Sequence, residues 1–167
     1  MVRVGLISDT HIPGRARALP RVVHELFAGV DAVLHAGDVM DPSVLDELRL
    51  IAPVHAVLGN LDGWSLAGRV HERLDLELGG VRIGMVHDSG TSKGRRERMR
   101  RAFPGCRVVV FGHSHMPLIE DDGDLLLVNP GSACDPRRAK VPTVALLDLA
   151  GGVPRAELVP VRSRGFA

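Results

Sequence analysis

The sequence repeatedly places a short, apolar, β-branched run before a polar turn, and helix-like segments separate several of these runs. Runs of this length and composition are typical of buried strands. Their alternation with helices favours an α/β domain, in which helices cover the faces of a sheet. The predicted strands are residues 2–7, 32–35, 54–58, 81–86 and 108–111.

Three segments between or beside these runs carry helix signals. Residues 19–27 and 42–51 have apolar side chains at helical spacing, and Pro42 suits the first turn of a helix. Residues 93–103 predict a third, more polar helix. The helices therefore fall between predicted strands, as a layered α/β fold requires.

Three glycine-containing turns lie between pairs of short strands, at Gly79-Gly80, Asp122-Gly123 and Gly151-Gly152. Each of them predicts a β-hairpin. Hairpins at this density do not fit a purely parallel sheet. We therefore expect an α/β (α+β) fold, a four-layer αββα sandwich of two mixed sheets packed face to face and flanked by helices. The length suits a single domain, residues 1–167.

Charge and cysteine content indicate an ordinary intracellular protein. The formal net charge is +1, which gives no global case for a nucleic-acid partner. Cys106 and Cys134 form no C-x-x-C motif and are expected to stay reduced. The first residues, MVRVGLISDT, predict a strand rather than a signal peptide, and no apolar run reaches the ~18 residues of a membrane helix. We expect a cytoplasmic protein without membrane association.

Each predicted strand ends at residues that can bind a metal ion or a proton. The strands lead in turn into SDTH, AGD, GNLD, HD and GHSH. In open α/β sheets the loops beyond the carboxyl ends of the strands share one crevice, so these side chains are expected to converge. In an extended segment the two histidines of GHSH point to the same side. The converging residues are Asp9, His11, Asp38, Asn60, His87, His113 and His115.

Carboxylates, imidazoles and an amide oxygen suit Mn²⁺, Fe, Zn²⁺ or Ni²⁺ better than Ca²⁺ or a thiolate-preferring ion. This set exceeds what one catalytic ion with open positions requires. Two ions about 3.5–4 Å apart, sharing a carboxylate, fit the number of ligands better.

In this order the motifs resemble those of the calcineurin-like metallophosphoesterases, and among them the small phosphodiesterases of bacteria and archaea. The resemblance includes NPGS at 129–132 and the following Pro136-Arg137, and it extends from residue 8 to about residue 138. It implies two divalent ions, with Mn²⁺ the leading candidate and Zn²⁺, Ni²⁺, Fe or Mg²⁺ as alternatives. The family pattern would give one ion Asp9, His11, Asp38 and His115, and the other Asp38, Asn60, His87 and His113, with Asp38 as the bridge.

The resemblance implies hydrolysis of phosphate esters. A hydroxide bridging two cations exists at neutral pH and attacks phosphorus in line, while the cations neutralise the developing charge. The residues expected to take part directly are Asp38, Asn60 and His87. A phosphodiesterase acting on a small-molecule or nucleotide ester is the leading hypothesis.

The alternatives are a phosphomonoesterase, a nuclease acting on nucleic acid, or a non-enzymatic scaffold, because a eukaryotic membrane-trafficking subunit shares this fold. The oligomeric state stays open.

The sequence departs from the family at the proton donor. Many members carry a histidine directly after the asparagine, where this chain has Leu61, and others carry one two residues after His87, where it has Ser89. Neither residue can act as the acid for a leaving group. The general acid is therefore unassigned, with Asp88 as a substitute, and the rate is expected to depend steeply on leaving-group pKa.

The remaining polar residues have simpler explanations. Asp62 is expected to fix a loop, and His35 is either a contact of the site or a core residue. His24, His55 and His71 lack a partner motif. NPGS is expected to support the ligand loops. A basic run is either a solvated helix face or a positive rim that attracts polyanions; it comprises Lys93, Arg95, Arg96, Arg98, Arg100 and Arg101.

Overall fold

The computed structural model describes residues 2–162. Ten strands form the fold: β1 (Arg3–Ile7), β2 (Ala32–His35), β3 (Val54–Ala56), β4 (Arg73–Leu78), β5 (Val81–Val86), β6 (Val108–Val110), β7 (Leu118–Asp121), β8 (Leu126–Asn129), β9 (Thr143–Asp148) and β10 (Arg155–Pro160). Three α-helices accompany them, α1 (Arg21–Leu26), α2 (Pro42–Arg49) and α3 (Arg95–Ala102). Met1 and residues 163–167 of the predicted domain lie outside the described residues, and the single-domain organisation stays a prediction.

The strands form two mixed five-stranded sheets. The first has the order β10-β9-β1-β2-β3, with β1, β2 and β3 parallel and β9 antiparallel to both β1 and β10. The second has the order β4-β5-β6-β8-β7, with β5, β6 and β8 parallel. The predicted turns at Gly79-Gly80, Asp122-Gly123 and Gly151-Gly152 connect the antiparallel pairs β4–β5, β7–β8 and β9–β10. All three predicted hairpins are therefore confirmed.

The main core lies between the two sheets. Leu6 and Leu34 of the first sheet belong to the same buried cluster as Ile83, Val110 and Val128 of the second. Alternate residues along each strand face the opposite way, so each sheet also has an outer apolar face.

Helices cover both outer faces. Val23 of α1 and Leu48 of α2 pack on the first sheet, and Met99 of α3 packs on the second. A glycine opposite an aromatic ring brings these layers together: a Cβ at Gly5 would come within 2.9 Å of the Phe27 ring. The four-layer αββα architecture is confirmed.

The predicted elements differ from the observed ones mainly at their ends. The α1 helix begins after Pro20, so Leu19 is buried outside it. The α2 helix has Pro42 in its first turn and Asp41 as N-cap, whose carboxylate accepts the Ser43 N–H at 2.8 Å. The α3 helix starts at Arg95 because Gly94 has a left-handed φ of 68°. Local turn geometry at these positions outweighs side-chain periodicity.

Both cysteines are free thiols, as predicted, and burial raises the pKa of Cys134 to about 12. Among residues 2–162, none of the helices has the length and hydropathy needed to cross a membrane.

Candidate metal centre

The loops after β1, β2, β3, β5 and β6 bring the seven predicted residues into one connected group. His87 follows β5 of the second sheet, and its Nε2 lies 3.4 Å from Asp38 Oδ2, which follows β2 of the first sheet. His115, after β6, has its Nε2 3.4 Å from Asp9 Oδ1, after β1. The site is therefore built across the sandwich from both sheets.

The group has two parts that share carboxylates. His11 Nε2 lies 3.9 Å from Asp9 Oδ1 and 3.1 Å from Asp38 Oδ2. Asp38 thus stands between His11 and His87, one histidine from each predicted set. Asp9 Oδ1 is also 4.0 Å from His87 Nε2, so a second carboxylate reaches the boundary between the sets. Atoms close enough to hold a cation occur in the groups Asp9, His11, His115 and Asp9, Asp38, His87.

Asn60 and His113 lie at the mouth of the site. Asn60 Oδ1 is 3.0 Å from His87 Nε2 and 2.9 Å from His113 Nδ1. Both Asn60 and His113 are exposed, whereas the other five predicted residues are buried. A substrate can therefore approach from the side of Asn60 and His113.

Groups behind three histidines contact the ring nitrogen that faces away from the central carboxylates. The Nδ1–H of His87 donates to the Ala36 carbonyl at 2.7 Å, and that of His115 donates to the Asp135 carbonyl. His11 Nδ1 lies 3.3 Å from Asp135 Oδ2. A neutral imidazole that donates through Nδ1 presents a lone pair at Nε2. In their neutral forms His87 and His115 therefore present Nε2 lone pairs to the buried carboxylates, and His11 does the same when its proton is on Nδ1, which is the arrangement of metal-binding histidines.

Within residues 2–162, two buried polar atoms at the centre find no hydrogen-bond partner, namely Asp9 Oδ1 and His115 Nε2. The other oxygen of Asp9 is satisfied, because Oδ2 accepts the Ser8 hydroxyl at 2.6 Å and the His113 N–H at 3.0 Å. A buried acceptor without a donor costs about 1–3 kcal/mol. A divalent cation among these converging acceptors would satisfy them, and the mixture of carboxylates and imidazoles fits such an ion.

The pKa shifts reflect the same concentration of acceptors. Burial raises the pKa of Asp9, and the Ser8 hydroxyl offsets part of this effect. Burial also acts to raise the pKa of Asp38, but contacts with His11 and His87 outweigh it, and the net shift is downward. Burial lowers the pKa of His11 and His87, but the neighbouring carboxylates outweigh it and the net shift is upward. For His115 burial prevails and lowers the pKa.

Backbone strain concentrates at this site. Among residues 2–162, seven non-glycine residues have a left-handed φ, and five of them are predicted ligands. Such a conformation is uncommon outside glycine, and strained residues cluster at functional sites. The five are Asp9 (φ 52°), His11 (φ 49°), Asp38 (φ 55°), His113 (φ 66°) and His115 (φ 59°).

Asp62 fixes the two loops that meet at Asp38, as predicted. Its Oδ2 accepts the N–H of Asp38 at 3.1 Å and of Gly59 at 2.7 Å, and its Oδ1 accepts that of Met40 at 2.7 Å. The loop carrying Asn60 is thereby tied to the loop carrying Asp38.

His35 supports the same region from the core. It is fully buried, and burial lowers its pKa to about 3. Its Nδ1 accepts the Gly37 N–H at 3.2 Å, so Nε2 carries the proton and donates to Thr10 Oγ at 3.1 Å. His35 is thus a neutral residue that connects the loops after β1 and β2. His24 of α1 lies away from this region, with its Nε2 2.8 Å from Oε1 of Glu47 on α2.

The segment that begins with NPGS lies against the ligand loops. Asn129 Nδ2 donates to the Gly112 carbonyl at 2.9 Å, and the Ser132 hydroxyl donates to the Asp9 carbonyl at 2.7 Å. This segment also contributes Asp135, which the sequence analysis missed. An acidic residue in a polar loop has many simple explanations, and the only signal was its place between NPGS and Arg137.

A cleft of about 300 Å³ opens beside the second predicted set of ligands. Its walls are partly apolar, and it carries two carboxylates, those of Glu72 and Asp88. Asp88 Oδ2 lies 3.9 Å from His113 Nε2. Leu61 contributes a backbone N–H to Asp38 Oδ1 at 2.8 Å, and Ser89 is buried. Asp88 is therefore a carboxylate of this cleft that lies beside a predicted ligand.

Three residues of the basic run, Arg96, Arg98 and Arg100, contact other parts of the protein. Arg96 and Arg100 contact Asp122 in the β7–β8 turn. Arg98 donates to the Ser89 carbonyl at 2.9 and 2.7 Å and to the Thr91 carbonyl at 2.5 Å. The Asp122 carboxylate offsets part of the charge of Arg96 and Arg100, whereas the carbonyl contacts of Arg98 hold its side chain in place.

Comparison with known proteins gives a consistent assignment. Residues 2–152 match the calcineurin-like phosphoesterase superfamily domain. The chain is 37% identical over 158 residues to a probable metallophosphoesterase from Methanothermobacter thermautotrophicus, covering 93% of this chain and 91% of that protein. A phosphodiesterase from Methanocaldococcus jannaschii is 26% identical over 163 residues, covering 88% and 93%.

A solved structure of the same architecture is vacuolar protein sorting 29 from Cryptosporidium parvum. It has a TM-score of 0.77 and 25% identity, and the match covers 95% of this chain and 96% of that one. The family match extends over most of the chain and includes every residue of the candidate metal centre. The chain belongs to the calcineurin-like phosphoesterase superfamily.

Proposed function

We propose that the protein is a phosphodiesterase that uses two divalent ions, with Mn²⁺ as the favoured metal. The observation that carries the proposal is the pair of unpartnered buried atoms, Asp9 Oδ1 and His115 Nε2, within a set of imidazoles whose lone pairs face carboxylates. A cation bound among these acceptors would satisfy both atoms.

The residues divide into the two sets that the family resemblance implies. Asp9, His11 and His115 would hold one ion and Asn60, His87 and His113 the other, with Asp38 shared between them. Two bound divalent ions supply a water of lowered pKa as nucleophile and positive charge for the phosphoryl oxygens. Asp38 lies between His11 and His87, which supports its role as the shared ligand.

The exposed residues at the mouth would position the substrate. Asn60 and His113 are the exposed members of the set, so the phosphoryl group would enter beside them. The alcohol part of the ester would occupy the adjacent cleft, where Asp88 could deliver a proton to the leaving oxygen. Asp88 is 57% exposed. With this side chain as the candidate donor in place of the two absent histidines, leaving groups of low pKa would be cleaved faster.

The similarity to a phosphodiesterase over most of the chain supports a diester substrate. A phosphomonoesterase or a nuclease would use the same ligands. A protein-binding scaffold is the second candidate function, favoured by the similarity to vacuolar protein sorting 29 and by exposed apolar side chains such as Leu61, Trp64 and Met116.

The proposal is tested with metal-stripped protein. Turnover of bis(p-nitrophenyl) phosphate and p-nitrophenyl phosphate is measured after addition of Mn²⁺, Ni²⁺, Zn²⁺ or Mg²⁺, beside an Asp38→Ala variant. We expect metal-dependent diester cleavage, fastest with Mn²⁺, that falls by at least about 100-fold in the variant because a shared ligand is lost.

The outcomes separate the candidates. If only the monoester is cleaved, the function is that of a phosphomonoesterase and not of a phosphodiesterase. Stoichiometric ion binding without turnover of either substrate would favour the scaffold, and failure to bind any ion would refute the two-metal centre.

A further inference from the structure

Residues 132–135 contact three of the candidate ligands of one ion position. The Ser132 hydroxyl donates to the Asp9 carbonyl at 2.7 Å and accepts the Asp135 N–H at 2.8 Å. The Asp135 carbonyl accepts the Nδ1–H of His115, and Asp135 Oδ2 lies 3.3 Å from His11 Nδ1. One short segment thus fixes both imidazoles relative to the carboxylate that they face.

The second ion position depends on other groups. The Ala36 carbonyl accepts the Nδ1–H of His87 at 2.7 Å. His113 faces Asp88 instead, with 3.9 Å between His113 Nε2 and Asp88 Oδ2. A change at Asp135 should therefore affect the two ion positions unequally.

Two arginines direct the Asp135 carboxylate. Arg137 Nε lies 3.3 Å and Arg15 Nε 3.9 Å from the same Oδ2 atom that approaches His11. The Asp135 side chain is 18% exposed, so these charged contacts are only partly screened by water. The guanidinium groups compensate the charge of Oδ2 and leave it as an acceptor for His11.

We propose that Asp135 is a positioning residue that selectively strengthens one of the two ion positions. This inference rests on the proposed two-metal function. Its carboxylate selects the His11 tautomer with the proton on Nδ1, and its carbonyl does the same for His115. Both Nε2 lone pairs then face Asp9 before an ion binds. Partners of this kind typically change metal affinity by 10- to 100-fold.

The test is a Mn²⁺ titration by calorimetry of metal-stripped wild type, Asp135→Asn and a matched control, Asp46→Asn. The Asp46→Asn substitution makes the same chemical change on α2, at a side chain that is 67% exposed. We expect two ions in wild type and in Asp46→Asn. In Asp135→Asn, one ion should keep its affinity and the other should bind about 10- to 100-fold more weakly. Diester turnover of this variant should recover at saturating Mn²⁺.

The inference would be overturned if Asp135→Asn bound each ion with the affinity of wild type. It would also be overturned if the variant bound both ions more weakly by the same factor. Fewer than two ions in wild type would instead refute the proposed function. If metal-free Asp135→Asn is unfolded by circular dichroism, Asp135→Ala decides, because it removes the side-chain acceptor of His11 and keeps the backbone carbonyl that accepts from His115. Selective weakening of one ion in Asp135→Ala supports the inference, and unchanged affinity refutes it.

Discussion

Replacing Gly59 by alanine tests the packing behind the metal centre, because the added methyl group would overlap Asp38. A Cβ on Gly59 would lie 2.1 Å from the backbone N, 2.2 Å from Oδ1 and 2.8 Å from Cα of Asp38. The backbone of Gly59 is outside the left-handed region, so the conflict is steric only. Since two of the three atoms belong to the main chain, no side-chain rotation relieves it.

We expect Asp38 to move together with the loop it occupies. Overpacking of a close contact costs roughly 1–3 kcal/mol. In a domain of this size that corresponds to a melting temperature roughly 2 to 12 °C lower. The same displacement moves Oδ1 of Asp38 away from the Leu61 N–H, now at 2.8 Å. Affinity for Mn²⁺ should fall by about tenfold or more, since a shared ligand is misplaced.

The matched control is Gly63→Ala in the same loop, where an added Cβ meets no atom of the described part of the chain within 4 Å. Its melting temperature should stay within about 2 °C of wild type or rise slightly, because alanine restricts the unfolded chain. Both variants are measured by thermal unfolding of metal-free protein and by Mn²⁺ calorimetry. Gly59→Ala behaving like Gly63→Ala in both measurements would refute the steric argument.

Three further predictions concern single contacts. The pKa of His35 is about 3 in the folded protein and about 6.5 in the unfolded chain. The free energy of unfolding should therefore decrease as the pH falls below about 6.5, by roughly 3 kcal/mol at pH 4.5. In urea unfolding of metal-free protein, His35→Gln should show a smaller decrease. Because Leu61 and Ser89 stand where related enzymes carry a proton-donating histidine, nitrophenyl diesters should be cleaved far faster than alkyl diesters. Similar rates for the two would disprove the prediction that a general acid is absent. Ser132→Ala should lower the free energy of unfolding by about 1–3 kcal/mol, because the Asp135 N–H then lacks its acceptor; an unchanged urea midpoint would count against this contact.

Much of the fold could be predicted from local sequence. Apolar runs, helix signals and three glycine turns predicted the strands, the helices and the hairpins, since each depends on residues close in the chain. Errors occurred at element ends such as Gly94 and Pro20, where backbone conformation at one residue decided the boundary. The order of the motifs placed seven polar residues at strand ends, and parallel strands bring such ends together.

Only the tertiary structure decided how those residues face one another. The contact between Asp135 and His11 joins residues 124 positions apart, and no local pattern carries it. The same holds for the proton on Nδ1 of His87, which depends on the Ala36 carbonyl of the other sheet. The engagement of Arg98 with the loop after β5 likewise depended on the packing of α3. By itself the sequence determined which chemical groups are present and near which strand ends they lie. The lone pair that each group presents, and the partner that holds it, followed from long-range packing, because hydrogen bonds form between atoms that only the folded chain brings together.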